Sequence, residues 1–173
     1  ETLRSRYGVV LQEDAGPGGV PRRPPFLPGI GGSIGALAAY YATTRSPAAE
    51  RLLRTLRDIA VSHVLTEHGD YDPARMGTSS VWVIRVMYLL AQLAVATGDA
   101  ELLANVKRLY VNGLPQFSNA LGWSPEPTNR YNGDTECALV AGAVAECAMM
   151  FGKDGDAEGY QHAEQILRGR LLP

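Results

Sequence analysis

The chain has 173 residues, of which 46% are hydrophobic and 20% are charged, and these are the proportions of a globular domain with its own core. The formal net charge is −2 with both signs spread along the chain, so no basic stripe indicates a nucleic-acid partner. The longest apolar run, residues 81–96, contains Arg85 and Gln92 and is too short and too polar for a membrane span. We therefore expect neither nucleic acid nor membrane as a partner, and we interpret this run as a buried core helix.

The first 32 residues are rich in proline and glycine, and they predict an extended segment ahead of a folded domain over 33–173. The motif GIGGSIG (29–35) has no strand before it and no phosphate-binding lysine after it, so we exclude a nucleotide-binding loop. No segment resembles a signal peptide, although the chain begins without methionine. The compartment stays open, with the cytoplasm slightly favoured.

The two cysteines, Cys137 and Cys147, would lie about 15 Å apart on a single helix, which is too far for a disulfide. Neither belongs to a pair or a cluster with the spacing of a zinc site. We expect no metal and no cofactor, and we interpret Cys147 as a packing residue.

Three stretches of the chain share one pattern with a period of about 50 residues, which is typical of repeat architectures. In each, one helix ends, the chain turns tightly, and another helix starts at an Ala-Glu pair after Ser46, Asp99 or Asp156 as the N-cap. The stretches are ATTRSPAAERLLRTLRDI (42–59), AVATGDAELLANVKRLY (94–110) and FGKDGDAEGYQHAEQILRG (151–169).

Each repeat predicts one buried inner helix and one amphipathic outer helix. The inner helices, 33–43, 79–97 and 134–151, are apolar on all sides, and a helix of that kind is buried on all sides. The outer helices carry apolar residues at helical spacing and charged residues between them. We expect His63 to lie in the core as well and His162 to lie in solvent. The predicted core positions of the outer helices are Leu52, Leu53, Leu56, Ile59, Leu102, Leu103, Val106, Leu109, Tyr110, Tyr160, Ala163, Ile166 and Leu167.

The connections alternate between tight turns, near 44–47, 97–99 and 152–156, and long loops. The long segments, 1–32, 65–78 and 113–133, enter the inner helices, so all of them lie on one face together with the N-termini of those helices. Long ordered loops in a compact domain usually carry function. The sequence predicts an all-α fold of αα-hairpin repeats that form part of an (α/α)6 toroid. Three hairpins are half of such a ring, so we expect either a longer chain or a homo-oligomer.

The second half of the chain resembles a family of bacterial toroid proteins. The motifs are GTSSVWVIRVMYLLAQLAVATGDAELLANVKRLY, LGWSPE, GDTECALVAGAVAECAMMFGK and GYQHAEQILRGRLL. In this order they resemble the β-L-arabinofuranosidase-like glycoside hydrolases and related α/α-toroid proteins, over roughly residues 30–173. The resemblance implies a toroid fold and glycosidase activity in bacterial carbohydrate metabolism.

The chain departs from this family at the residues that carry its metal chemistry. In the characterised enzymes the corresponding helix starts with a glutamate, which is followed two residues later by a cysteine. That cysteine belongs to a zinc-thiolate cluster and acts as the nucleophile. Here Asp134 and Glu136 stand at these positions, and Cys137 follows one place later. The further cysteines have no counterpart, and MGTSSVW stands where that family has a histidine-rich helix start. The resemblance therefore implies the fold more firmly than the zinc-cysteine chemistry.

Three acids near the predicted rim are candidates for catalysis, because glycosidic cleavage commonly needs two carboxyl groups. Asp134 is a catalytic candidate that could equally serve as an N-cap. Glu136 could be catalytic or could simply be stabilised by the helix dipole in a first turn. Glu126, between two prolines, is either the second carboxyl group or an exposed loop acid.

The residues around these acids are suited to sugar binding. Trp123 and Tyr131 offer aromatic faces for stacking on sugar rings, although Trp123 could instead pack the loop onto the domain. Arg130 could bind a carboxylate or sulfate, or could pair with Asp134, and Asn132 offers an amide. His68, in the loop EHGDYD, is available for acid-base chemistry.

The sequence thus predicts a carbohydrate-active protein, a glycoside hydrolase of the α/α-toroid type with paired carboxylates. The alternative is a non-catalytic helical binding or scaffold module.

Overall fold

The computed structural model describes the backbone of residues 27–128 and 138–172, and the side chains of residues 33–128 and 140–172. Seven α-helices lie in these ranges: α1 (Leu27–Thr44), α2 (Pro47–His63), α3 (Pro73–Met76), α4 (Ser80–Thr97), α5 (Ala100–Asn112), α6 (Ala138–Lys153) and α7 (Ala157–Ile166). A 3-10 turn (Leu114–Gln116) follows α5, and a π-helical turn (Leu167–Leu171) follows α7.

The prediction of an all-α protein is confirmed, since the described residues contain no strand. Helices α1 and α2, α4 and α5, and α6 and α7 are joined by two or three residues, at the three places where the sequence predicts tight turns. Such short connections force the chain to reverse, so each pair is an αα-hairpin. The second turn shows the local cause, because Gly98 is left-handed at φ 70° and Asp99 then caps α5.

The predicted extended segment over 1–32 is wrong at its boundary, because α1 already begins at Leu27. Proline is tolerated in the first turn of a helix, where its missing N–H has no partner to lose, so Pro28 does not delay the helix. Gly35 of α1 lies close to α4. A Cβ at Gly35 would lie 3.1 Å from Gln92 Oε1, so α1 approaches α4 closely there.

Helices α1, α4 and α6 form an inner layer, in which α4 packs between the other two. Ten residues of α4 are buried, including Ile84, Met87 and Leu90. By length and composition alone α4 could cross a membrane, but 56% of it is buried inside the protein. It is therefore the core helix that the sequence predicts.

Helices α2, α5 and α7 cover the inner layer from outside, and most of their predicted core positions are buried. Leu52 and Tyr160 are exceptions, with 47% and 48% of their surfaces exposed, and Leu167 is also exposed. The hydrophobic stripes of α2 and α7 are narrower than predicted, because Leu53 rather than Leu52 reaches the core and Tyr160 lies over Gly152 on the surface of α6. All five predicted core positions of α5 are buried. His63, expected in the core, is exposed in the last turn of α2.

The outer helices are linked by an ionic contact that recurs with the repeat. Arg57 Nε of α2 donates to Asp99 Oδ2, 3.0 Å away, and Lys107 of α5 pairs with Asp156. In both cases the acceptor is the N-cap of the next outer helix, which also accepts from a backbone N–H of its own helix. One aspartate therefore both starts a helix and joins it to the preceding repeat. Ser46, at the first such position, makes no side-chain cap bond.

The Lys107–Asp156 pair predicts a pH-dependent stability. The hydrogen bond from Lys107 holds the pKa of Asp156 below its ordinary value of 3.8. This stabilisation is present above that value and is lost as the pH falls through the lower folded-state pKa. Asp156→Asn, which keeps a capping oxygen, should cost about 0.5 to 1 kcal/mol of unfolding free energy at neutral pH.

Urea unfolding of wild type and Asp156→Asn between roughly pH 7 and pH 3 tests this, with the neighbouring Asp154→Asn as control. The unfolding free energy of Asp156→Asn should approach that of wild type as the pH falls. Asp154→Asn should have the same unfolding free energy as wild type at every pH. A difference that stays constant over this range would contradict the assignment.

Candidate active site at the start of helix α4

Buried polar side chains in the described part of the chain concentrate where α4 begins. Thr78, Ser79 and Ser80 are at most 7% exposed, and Ser124 is fully buried in the loop that packs there. Because a buried hydroxyl is costly unless it is hydrogen-bonded, such a concentration is unusual in an apolar core. This end of the inner layer is therefore its most polar part.

Glu126 joins the loop after α5 to the first turn of α4. Its Oε2 atom accepts a hydrogen bond of 2.6 Å from Ser80 Oγ and one of 3.4 Å from the backbone N–H of Val81. Both donors, together with the positive end of the helix dipole, stabilise a negative charge on this oxygen. Glu126 is therefore half-buried and held in place, so it is not the freely exposed loop acid of the second alternative.

Two further contacts fix the same loop beside the start of α4. The N–H of Thr128 donates to Thr78 O over 2.8 Å, and the hydroxyl groups of Thr128 and Tyr71 are 2.7 Å apart. The hydroxyl of Tyr71 also donates to Gly77 O over 2.6 Å. Burial raises the pKa of Tyr71, the Thr128 hydrogen bond opposes this, and the nearby charge of Glu126 raises it further. Tyr71 is therefore a neutral donor that ties the two long loops together.

The backbone of Trp123 is fixed by a turn around Asn119. Oδ1 of Asn119 accepts from the N–H groups of Leu121 and Trp123, at 2.9 and 3.0 Å. The carbonyl of Trp123 in turn accepts from the N–H of Asn119 and from Ser118 Oγ. Trp123 as a whole is half-buried, so its burial fits either of the roles predicted for it.

His162 anchors this loop to α7, which corrects the expectation that it lies in solvent. Its Nε2 is 2.9 Å from Ala120 O, and its Nδ1 is 2.7 Å from the hydroxyl of Tyr110. A carbonyl only accepts, so Nε2 carries the proton and, in the neutral ring, Nδ1 accepts from Tyr110. The ring thus joins α5, α7 and the loop that carries Trp123 and Glu126.

The structure does not join His68 to the contacts around Glu126. Its ring is exposed and makes no hydrogen bond to the described residues, while its backbone carbonyl accepts from Asn112 Nδ2 at the end of α5. The adjacent Gly69 lies against the backbone of Arg108, where a Cβ would come within 2.5 Å of the Arg108 carbonyl carbon. The loop is therefore held by backbone contacts, and His68 has no visible role at Glu126.

The other predicted site residues lie outside the described residues. These are the acids Asp134 and Glu136, the binding candidates Arg130, Tyr131 and Asn132, and the neighbouring Cys137. Cys147 is fully buried in α6, and burial raises the pKa of its thiol, so it is a packing residue as predicted. Within residues 33–128 and 140–172, no group of three or more His, Cys, Asp or Glu side chains could hold a metal ion.

A cleft of about 490 Å³ lies at the opposite end of α4, between α2 and the turn into α5. Its charged side chains, which include Glu50, Arg54, Arg57 and Glu101, are largely engaged with one another in ion pairs. The cleft therefore belongs to the ionic contacts between repeats and lies away from Glu126.

Sequence reasoning missed Ser80 and His162, because their partners are 46, 42 and 52 residues away. The only local signal for Ser80 is its place in the run GTSS ahead of an apolar helix.

Compared with protein-family models, with curated proteins and with solved structures, the chain matches none of them.

Proposed function

We propose that this chain is a carbohydrate-active protein, a glycoside hydrolase of the α/α-toroid type that cleaves a glycosidic bond with paired carboxylates. The proposal rests chiefly on the Glu126 carboxylate, which Ser80 and Val81 hold at the start of an inner helix near the half-buried Trp123. Glycosidic cleavage commonly needs two carboxyl groups, and Glu126 supplies one of them in this proposal.

The second carboxyl group in this proposal is Glu136, with Asp134 as its neighbour. Both belong to the segment between Thr128, which is bonded to Thr78 before α4, and Ala138, where α6 begins. Gly122 of the same loop lies against the first turns of α6, where an added Cβ would come within 3.1 Å of the Ala141 Cα, so both ends of this segment lie near one another. Glycosidases need one carboxyl group with a proton and one without. In this proposal Glu126 acts as base or nucleophile and Glu136 acts as the general acid.

The toroid part of the proposal is supported by the alternation of inner and outer helices and by the recurring ionic contact between repeats. The rival, a helical binding or scaffold module, would explain the hydrogen bonds of Glu126 as purely structural. Hydrolysis assays separate the two functions.

The test is a screen of the chain against a panel of aryl glycosides and oligosaccharides, with Glu136→Gln as the matched variant. We expect hydrolysis of at least one glycoside and a loss of roughly 10² to 10⁴-fold in Glu136→Gln, with an almost unchanged melting temperature. Binding without hydrolysis would favour the module. A Glu136→Gln protein with full activity, or one that unfolds, would remove Glu136 from the catalytic role.

A further inference from the structure

Residues 118–123 form one hydrogen-bonded turn, which we call the Asn119 turn. Oδ1 of Asn119 accepts from the N–H groups of Leu121 and Trp123. The carbonyl of Trp123 in turn accepts from the N–H of Asn119 and from Ser118 Oγ. Because these bonds join the two ends of a short stretch, the turn is rigid in itself and moves as a unit.

The stretch between the Asn119 turn and Glu126 has little backbone freedom. Pro125 and Pro127 stand on either side of Glu126. A proline ring fixes its own φ angle and restricts the residue before it to extended conformations, and both Ser124 and Glu126 precede a proline. Ser124 is also fully buried. The position of the Asn119 turn is therefore passed on to the Glu126 carboxylate at the start of α4.

His162 of α7 holds the Asn119 turn from outside the loop. Its Nε2–H donates to Ala120 O over 2.9 Å, and its Nδ1 accepts from the Tyr110 hydroxyl over 2.7 Å. In the described part of the chain, the bond to Ala120 is the only hydrogen bond that joins this turn to an α-helix. Tyr110 is 9% exposed, and its ring lies edge-on to Phe151 with the ring centres 5.1 Å apart. The histidine ring is therefore fixed to the core on one side and to the loop on the other.

We propose that His162 is a positioning residue for Glu126. By holding Ala120 O, it sets the place of the Asn119 turn, and through the proline-flanked stretch it sets the place of the carboxylate against Ser80. Its effect on hydrolysis rests on the proposed function. The positioning itself does not, because it can be measured without a substrate.

Two substitutions of His162 separate the hydrogen bond from the bulk of the ring. In His162→Gln the amide nitrogen reaches the place of Nε2 and can still donate to Ala120 O. In His162→Asn the shorter side chain reaches only the place of Nδ1, so the bond to Ala120 is lost. Tyr110→Phe is a third variant, which removes the hydroxyl that orients the histidine ring.

The readout is the hydrogen-exchange rate of the Thr128 amide, measured by NMR. This N–H donates to Thr78 O and lies beyond Glu126 from the Asn119 turn, so it reports whether the stretch around Glu126 is held. His162→Asn should raise its exchange rate roughly threefold to tenfold, and Tyr110→Phe should raise it in the same direction. His162→Gln should stay within about twofold of wild type. The control amide is that of Asp99, which donates to Ala94 O at the other end of α4 and should not change.

A steady-state assay on the best glycoside of the panel adds the catalytic consequence. His162→Asn should lower kcat roughly threefold to tenfold and leave KM nearly unchanged, because the carboxylate is displaced while the rest of the site stays in place. His162→Gln should restore kcat. If the wild type hydrolyses no glycoside, the proposed function fails, and the exchange of Thr128 still decides the positioning.

A Thr128 amide that exchanges at the wild-type rate in His162→Asn and Tyr110→Phe would overturn the proposal. Equal acceleration in His162→Asn and His162→Gln would also overturn it, since the ring and not its hydrogen bond would then matter. The same holds if the Asp99 amide accelerates as much as that of Thr128, because His162 would then support the whole fold. Full kcat in His162→Asn of an active protein would contradict the proposal as well.

Discussion

Glu126→Gln should reduce glycoside hydrolysis by roughly 10² to 10⁴-fold while the protein stays folded. The glutamine carbonyl can accept the same bonds from Ser80 Oγ and Val81 N, so the loop keeps its position. Only the negative charge is lost, and with it the ability to act as base or nucleophile. Because bonds to a charged acceptor are stronger, we expect a stability loss of about 1 kcal/mol.

The measurement is the hydrolysis rate on the best glycoside of the panel, together with the melting temperature. Ser80→Ala is the matched structural variant, since it removes the shorter of the two bonds and leaves the carboxylate. It should destabilise the protein by about 1 to 2 kcal/mol and keep more activity than Glu126→Gln. If Glu126→Gln retains wild-type activity, Glu126 is a structural residue of the loop and the proposed carboxyl pair is wrong.

Gly159→Ala should destabilise the protein by about 1 to 3 kcal/mol, although alanine is the better helix former. Gly159 lies where α7 crosses α6, and an added Cβ would come within 2.4 Å of Ala148 O and 2.8 Å of Gly152 N. These are backbone atoms, so the two helices would have to separate. The hairpin between α6 and α7 depends on this close approach.

The matched control is Gly142→Ala in α6, where an added Cβ meets no atom within 4 Å. At this position the higher helix propensity of alanine over glycine should stabilise the protein by about 0.5 to 1 kcal/mol. Urea unfolding of both variants decides the question. Equal effects of the two substitutions would show that packing between α6 and α7 does not require glycine at Gly159.

The hairpins could be predicted because their signals are local. The turn at Gly98 and Asp99 needs only a left-handed residue followed by a cap, and the predicted helix 79–97 is observed as Ser80–Thr97. Residues 134–151 were predicted to form a buried inner helix, and Val140, Val144 and Phe151 of α6 are all buried. Helical periodicity carries this information without any knowledge of neighbours.

The sequence-based burial predictions are wrong at positions whose burial depends on residues of other helices. Leu52 and Leu53 have equal hydrophobicity, and only the position of the adjacent helices buries Leu53 and exposes Leu52. His63 was predicted in the core and is exposed, and His162 was predicted in solvent and is half-buried, because Tyr110 and Ala120 supply hydrogen-bond partners for its ring. These partners lie on other elements and leave no periodic trace in the sequence.

By itself the sequence determined the all-helical character and the tight turns, because caps, glycines and apolar spacing act within a few residues. Only the tertiary structure decided that Glu126 reaches Ser80 and that His162 holds the loop. Each of these depends on contacts between residues more than 40 positions apart or on the packing of separate helices. Such contacts depend on how the hairpins pack against one another. A pattern within a few residues of sequence does not contain this information.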